Sequence, residues 1–152
     1  MKNKVFVSHR GNTSGVNLNL ENNPQYVLSA IEKGFDCEID LRYDPKIKKL
    51  FLGHDKPEYE ITLDWLLSLK NRLWVHCKNF ESISFLISED VDLNYFWHQE
   101  DDFTLTSKGY IWTYPGKKTG KNSILVSLGD DKPEGTYLGI CSDYIEKVKN
   151  LI

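Results

Sequence analysis

Two carboxylates lie side by side in an apolar, strand-like segment, residues 35–41. Glu38 and Asp40 are separated only by Ile39, so in a strand both side chains leave the backbone on the same face. Adjacent acids repel each other unless a cation lies between them or one of them holds a proton. The pair therefore indicates a site for a cation or a shared proton. The alternative is two solvated acids, or acids paired with Arg42 and Arg10.

A second titratable pair follows a dozen residues later. The apolar run Leu50–His54 ends in His54-Asp55, and the segment Tyr43–Lys49 before it contains Asp44-Pro45 and three lysines, as is typical of a turn. The pattern predicts a β-hairpin. Such a hairpin returns His54 towards the acids.

Composition limits the kinds of partner that the chain can bind. At 152 residues, with 40% hydrophobic and 12% aromatic residues, residues 1–152 are expected to form a single domain. A net charge of −3 gives no general field that attracts nucleic acid or an acidic membrane. The predicted partner is a small molecule held by local groups, and the oligomeric state stays open.

The three cysteines, Cys37, Cys77 and Cys141, form no CxxC motif and fall inside apolar runs. They predict buried free thiols rather than a disulfide framework or a zinc knuckle. No apolar stretch approaches the length of a membrane span, and the short N-terminal apolar run is no signal peptide. We therefore expect a cytoplasmic protein.

Hydrophobic patterns and capping residues predict a fold of the α/β class. Helices are expected at residues 24–33, capped by Asn23, at 63–70, capped by Thr62, and at 80–88 and 144–151. Eight strands are expected to begin at Val5, Phe35, Leu73, Tyr95, Phe103, Tyr110, Ile124 and Tyr137. The count favours a compact, TIM-barrel-like (β/α)8 fold that lacks several helices in its second half. A full barrel usually takes roughly 200 residues or more, so an open sheet with extra β-hairpins is the alternative.

Polar residues with catalytic chemistry follow the expected strands where the apolar runs end. In parallel α/β folds those ends lie on one face, where active sites are built. The residues in question are His9-Arg10, Glu38 and Asp40, His76 and Lys78, His98, and Asp143.

Four of these segments, in this order, resemble the glycerophosphodiester phosphodiesterase family of the phosphatidylinositol phospholipase C-like superfamily. They are SHRG at 8–11, ENNP at 21–24, GFDCEID at 34–40 and LGHD at 52–55, and IWTY at 111–114 and SDY at 142–144 are looser matches. Two positions depart from the family pattern. ENNP replaces an ENT-like turn, and His76 replaces a metal-binding glutamate two residues before a lysine.

The resemblance implies metal-dependent hydrolysis of a phosphodiester. His9 and His54 correspond to the acid/base histidines, and Glu38 and Asp40 to ligands of Mg²⁺ or Ca²⁺. His76 adds a nitrogen ligand, which also allows Mn²⁺ or Zn²⁺. Arg10 and Lys78 offer positive charge to the phosphate, and a substrate pocket is expected to include His98, Trp112 and Asp143.

Two other functions are compatible with the same residues. The first is a catalytically impaired domain that binds a phosphorylated small molecule, which the substitution at His76 favours. The second is a zinc hydrolase using His9, His54, His76 and the acids, which requires these side chains to converge on one ion at about 2 Å.

Overall fold

The computed structural model describes residues 3–152, and one β-sheet runs through most of them. The described residues form ten strands: β1 (Val5–His9), β2 (Asp36–Asp44), β3 (Lys49–Leu52), β4 (Tyr59–Ile61), β5 (Leu73–Cys77), β6 (Tyr95–Trp97), β7 (Phe103–Leu105), β8 (Ile111–Thr113), β9 (Ser123–Ser127) and β10 (Gly139–Ser142). They also form four short helices: α1 (Pro24–Glu32), α2 (Leu63–Ser68), α3 (Phe80–Ser88) and α4 (Ile145–Asn150).

Seven strands of the sheet are parallel and lie in the order β6-β5-β2-β1-β10-β9-β8. The predicted hairpin is present, because β3 pairs antiparallel with the second half of the long strand β2, and β4 extends it. All seven parallel strands therefore end at one edge of the sheet. We call it the carboxyl edge.

The prediction of a (β/α)8 TIM barrel is wrong. The described residues form a curled, half-barrel-like sheet in which strands predominate and helices are few and short. The segment counted as the fifth barrel strand, β7, runs antiparallel to β8 at the edge of the sheet. In the described part of the chain, no ladder joins β6 to β7, so the sheet stays open. Their contact includes a side-chain bond from the Thr104 hydroxyl to the Trp97 carbonyl at 3.0 Å.

The connections in the second half of the sheet contain no helix. Residues 114–122 link β8 to β9 and residues 128–138 link β9 to β10, and both connections are loops. Helices α1, α2 and α3, in contrast, all come before β6 in the chain. Helices therefore pack beside one half of the carboxyl edge, whereas loops alone connect the strands of the other half.

The two faces of the central strands have different environments. Cys37, Ile39 and Leu41 of β2 belong to the core formed with the first three helices, which also includes Leu73 and Val75 of β5. Because side chains alternate along a strand, Glu38 and Asp40 point to the opposite, concave face. The core cluster on that side includes three aromatic residues from three strands: Trp74, Phe96 and Trp112.

Local capping explains where the helices begin. The Asn23 side chain accepts a hydrogen bond from Gln25 N at 2.9 Å, and Pro24 occupies the first turn of α1. The Thr62 hydroxyl accepts one from Trp65 N at 3.1 Å. Both predicted caps are confirmed. Among residues 3–152, no helix has the length and apolarity required to cross a bilayer.

Candidate active site

A cavity of about 280 Å³ opens at the carboxyl edge of the sheet. It brings together residues that are far apart in the sequence, because the parallel strands that carry them end side by side. Its lining comprises His9, Arg10, Glu38, His54, His76, Lys78, His98, Gln99, Trp112, Tyr114, Pro115, Val126 and Leu128. Nearly all of the predicted site residues therefore surround one space.

Glu38, Asp40 and His76 form a compact cluster under this cavity. Strand register explains it, because Asp40 is paired with His76 across β2 and β5, while Glu38 lies two residues away on the same face. One ligand atom from each residue lies within 4.8 Å of the other two. The side chains of Glu38 and Asp40 are almost completely buried. These are the three residues for which the sequence predicted a role as metal ligands, and their geometry could hold an ion.

The orientation of His76 decides which of its nitrogens faces the acids. Its Nε2 lies 2.8 Å from the backbone carbonyl oxygen of His98. A carbonyl only accepts hydrogen bonds, so Nε2 carries the hydrogen and donates it. The Nδ1 atom then holds a lone pair in the neutral ring, and it lies 3.7 Å from both Glu38 Oε1 and Asp40 Oδ1. Metal-binding histidines commonly donate their second nitrogen to a carbonyl in this way.

Two carboxylate oxygens of the cluster are buried without a hydrogen-bond partner among the described residues. They are Glu38 Oε2 and Asp40 Oδ1. Burial disfavours the charged form of Glu38, but His76, His9 and Arg10 outweigh it and hold the pKa of Glu38 below its usual range. Burial and the charge of Glu38 raise the pKa of Asp40. A bound divalent cation would satisfy both oxygens and remove the conflict between the two acids.

Arg10 lies beside the cluster, and part of its guanidinium is engaged in ion pairs with two acids. Its Nε is 3.0 Å from Asp40 Oδ2, and its Nη1 is 3.5 Å from Glu21 Oε2. The backbone of Arg10 adopts a left-handed conformation with φ 59°, and its carbonyl accepts a hydrogen bond from Asn22 N at 3.0 Å. The residue still lines the cavity, so its remaining donors can face a phosphate.

His9 is held by a buried acid. Its Nδ1–H donates to Asp143 Oδ1 at 2.8 Å, and Asn12 Nδ2 donates to the same oxygen at 2.9 Å. The other ring nitrogen, Nε2, lies 3.7 Å from Glu38 Oε2. Burial disfavours a charged ring, but the bond to Asp143 and the charge of Glu38 outweigh it and raise the pKa of His9. Asp143 thus lies behind His9 and is not part of the cavity lining in which it was predicted.

His54 enters the cavity from the hairpin, as predicted. Its Nδ1 lies 2.7 Å from Asp55 Oδ1, so this ring is also oriented by an aspartate. The Arg42 guanidinium fixes the backbone by donating to the Gly53 carbonyl at 3.0 Å. A side chain at Gly53 would place Cβ 1.9 Å from the Lys56 carbonyl oxygen, which explains glycine at this position.

The other predicted site residues also reach the cavity. Lys78 lines it just beyond β5, and Trp112 forms part of its wall while being only 3% exposed. His98 is buried and its Nε2 donates to the Asp101 carbonyl. The side chains do not converge as the zinc-hydrolase hypothesis requires. Among the described residues, the group able to share an ion contains Glu38, Asp40 and His76 but neither His9 nor His54.

Two residues that support the site had no predicted role. Asn22 binds Asp40, and Asn12 binds Asp143. Both lie between β1 and α1, and Asn22 entered the sequence analysis only as part of the ENNP segment. Asparagine tolerates the left-handed backbone better than most residues, which suits Asn22 to its φ of 64°, but this tolerance indicates no role at the site.

Comparison of the chain with models of known protein families, with curated proteins and with solved structures gave no match. Interpretation of the site therefore depends on its own geometry.

Proposed function

We propose that this protein hydrolyses a phosphodiester with the help of a divalent cation held by Glu38, Asp40 and His76. One observation carries the proposal: the lone pair of His76 Nδ1 and two buried carboxylates face the same point, each 3.7 Å from the ring nitrogen. A cation there, or a proton on the ring or on one of the acids, makes this arrangement favourable, and a cation can engage all three residues at once. The two histidines and two basic residues around the cavity supply the rest of the chemistry.

The donor set fits a divalent metal ion. Carboxylate oxygens suit Mg²⁺ or Ca²⁺, and the imidazole nitrogen also suits Mn²⁺ or Zn²⁺. When bound, such an ion would neutralise charge that develops on the non-bridging phosphate oxygens.

The residues of the chain itself account for binding and proton transfer. Arg10 and Lys78 attract the phosphate of the substrate into the cavity. Hydrolysis forms a bond from the water oxygen to phosphorus and breaks the bond to the alcohol oxygen. One histidine accepts the proton that water loses, and the other donates a proton to the departing alcohol. His9 and His54 both line the cavity and both bond an aspartate through Nδ1, so Nε2 is the nitrogen available in each.

The four ordered segments that resemble glycerophosphodiester phosphodiesterases support the same reaction. The three cysteines are free and buried, which supports the further proposal that the protein works in a reducing compartment, the cytoplasm.

Phosphorus NMR tests the reaction directly. Purified protein is incubated with a panel of glycerophosphodiesters in Mg²⁺, Ca²⁺, Mn²⁺ or chelator, and the chemical shift of the product distinguishes a monoester from a cyclic phosphate. We expect turnover that needs a cation and that falls about 10²- to 10⁴-fold in His9→Ala. Glu38→Gln should also abolish the cation-dependent turnover. Glu60→Gln is the matched control, because Glu60 is half-exposed and pairs with Lys49 on the surface.

No turnover with any cation would contradict hydrolysis. Binding of Mn²⁺ and phosphate esters without turnover would instead favour a binding module.

A further inference from the structure

The lining of the cavity is chemically divided between two groups of strands. The side formed by the ends of β1, β2 and β5 and by the hairpin is charged, and we call it the charged wall: His9, Arg10, Glu38, His54, His76 and Lys78. The side formed by β8 and β9 and the residues that follow them is apolar, and we call it the apolar wall: Trp112, Tyr114, Pro115, Val126 and Leu128. The two remaining lining residues, His98 and Gln99, follow β6 and are polar. A ligand that fills the cavity meets both walls.

A stack of aromatic rings joins the two walls. Phe96 is stacked on His76 with ring centroids 4.9 Å apart and on Trp112 at 4.7 Å. Phe96 is buried, so these contacts fix Trp112 relative to the candidate metal ligand His76. Trp112, and with it the inner part of the apolar wall, therefore lies at a defined distance from His76.

The mouth of the apolar wall exposes large hydrophobic side chains. Leu128 is 59% exposed and Tyr114 is 50% exposed, although both line the cavity. Covering such side chains with an apolar ligand group is favourable, because it removes apolar area from water. The side-chain hydrogen-bonding groups of this wall are the Tyr114 hydroxyl and the indole N–H of Trp112, and Trp112 is buried. A glycerol or sugar lying here would lose water from several hydroxyls and regain few bonds.

We propose that the alcohol esterified to the phosphate is an apolar alkyl or aryl group that packs on the apolar wall, while the phosphate faces the charged wall. The identification of the polar end as a phosphodiester rests on the proposed function. The apolar character of the other end rests on the composition of the wall alone. Lipid-like esters and aryl esters both combine a phosphate with an apolar group of this kind.

Three diesters that differ only in one alcohol test the proposal: hexyl methyl phosphate, benzyl methyl phosphate and glyceryl methyl phosphate. All three alcohols leave as alkoxides, so a difference in rate reports contact with the cavity. We expect kcat/KM for the hexyl or benzyl ester to exceed that for the glyceryl ester at least ~10-fold, the scale on which pockets discriminate apolar groups. Preference for hexyl indicates a lipid-like chain, and preference for benzyl indicates an aromatic alcohol. Equal rates, or a preference for the glyceryl ester, would overturn the proposal while leaving hydrolysis intact.

A substitution in the apolar wall tests whether this wall causes the preference for the hexyl ester. Leu128→Asn keeps the size of the side chain and removes its apolar character, so it should lower the ratio of hexyl to glyceryl turnover several-fold, toward unity. Ile87→Asn is the matched control, because Ile87 is 60% exposed but lies on α3, away from the cavity, and should leave the ratio unchanged. An unchanged ratio in Leu128→Asn would also overturn the proposal.

A binding measurement separates this inference from the proposed reaction. Isothermal titration with hexyl phosphate, phenyl phosphate and glycerol 3-phosphate, each with Mn²⁺ present, needs no turnover. If no diester is hydrolysed, tighter binding of the hexyl or phenyl monoester still supports the apolar wall. Equal or tighter binding of glycerol 3-phosphate would refute it.

Discussion

The side-chain amide of Asn22 forms two hydrogen bonds with Asp40. Its Nδ2 donates to Asp40 Oδ2 at 2.8 Å, and its Oδ1 accepts from the backbone N–H of Asp40 at 3.0 Å. Both residues are buried, and Asn22 has a φ of 64°. Asn22 therefore orients a candidate metal ligand from a loop that lies 18 residues earlier in the chain.

Asn22→Gly tests this positioning role. Glycine adopts a positive φ without strain, so the substitution removes the two hydrogen bonds and little else. We expect Mn²⁺ affinity, measured by isothermal titration, to fall about 10- to 100-fold, as is usual when a partner of a metal ligand is lost. Asn23→Gly is the matched control, because Asn23 caps α1 and glycine is tolerated as a cap. Equal Mn²⁺ affinity in wild type and Asn22→Gly would contradict the role.

The two aspartates that orient the histidines should differ in importance. The Asp143 side chain is only 7% exposed, whereas that of Asp55 is 91% exposed and competes with water for His54. Asp143→Asn should therefore lower kcat by about 10²-fold or more, with little change in KM, because His9 loses its orientation for proton transfer. Asp55→Asn should have a smaller effect. Steady-state kinetics on both variants compare them, and an equal or larger loss in Asp55→Asn would refute the ranking.

Gly53 should be required for activity because its backbone lies against the segment that follows. Gly53→Ala places Cβ 1.9 Å from the Lys56 carbonyl oxygen, so the hairpin end that carries His54 must move. We expect turnover to fall about 10²-fold, the loss that a small misplacement of a catalytic group causes. Gly120→Ala is the control, since a Cβ there meets nothing within 4 Å. Normal turnover in Gly53→Ala would show that His54 does not need this geometry.

The cysteines should be unreactive in the folded protein. All three are buried, and burial raises the pKa of Cys77 to about 12 and the pKa of Cys141 well above its usual range. Thiolate, the reactive form, therefore stays scarce even at pH 9, where an ordinary thiol with a pKa of about 8.5 is mostly ionised. A colorimetric thiol reagent should detect no thiol at pH 7 to 9 and three after unfolding in guanidinium. Rapid reaction of any thiol without denaturant would contradict the burial.

The position of the site followed from local sequence features. Strand alternation places Glu38 and Asp40 on one face, and the ends of parallel strands meet at one edge, so His9, His76 and His98 were expected beside them. These rules depend on the backbone alone. The register that pairs Asp40 with His76 is a long-range property, and it brings the predicted cluster together.

The topology of the second half was not deduced, although the sequence contained a relevant signal. Only five residues separate Leu105 from Ile111, and a parallel connection normally needs a dozen or more. The short spacing therefore indicated a hairpin, and counting Phe103 as a barrel strand was the error. The role of Asn22 could not be deduced, because nothing near it in sequence shows that its loop folds over Asp40.

The helix-free loops at residues 114–122 and 128–138 allow substrate choice to change separately from reaction chemistry. The candidate cation ligands come from β2 and β5, which pack against α1, α2 and α3, whereas three of the five apolar-wall residues, Tyr114, Pro115 and Leu128, stand at the start of these loops. Loops tolerate changes in length and sequence better than packed strands do. An engineer could therefore exchange both loops to redirect substrate choice, in the way that antibody loops are exchanged on a constant framework, and leave the reaction chemistry in place.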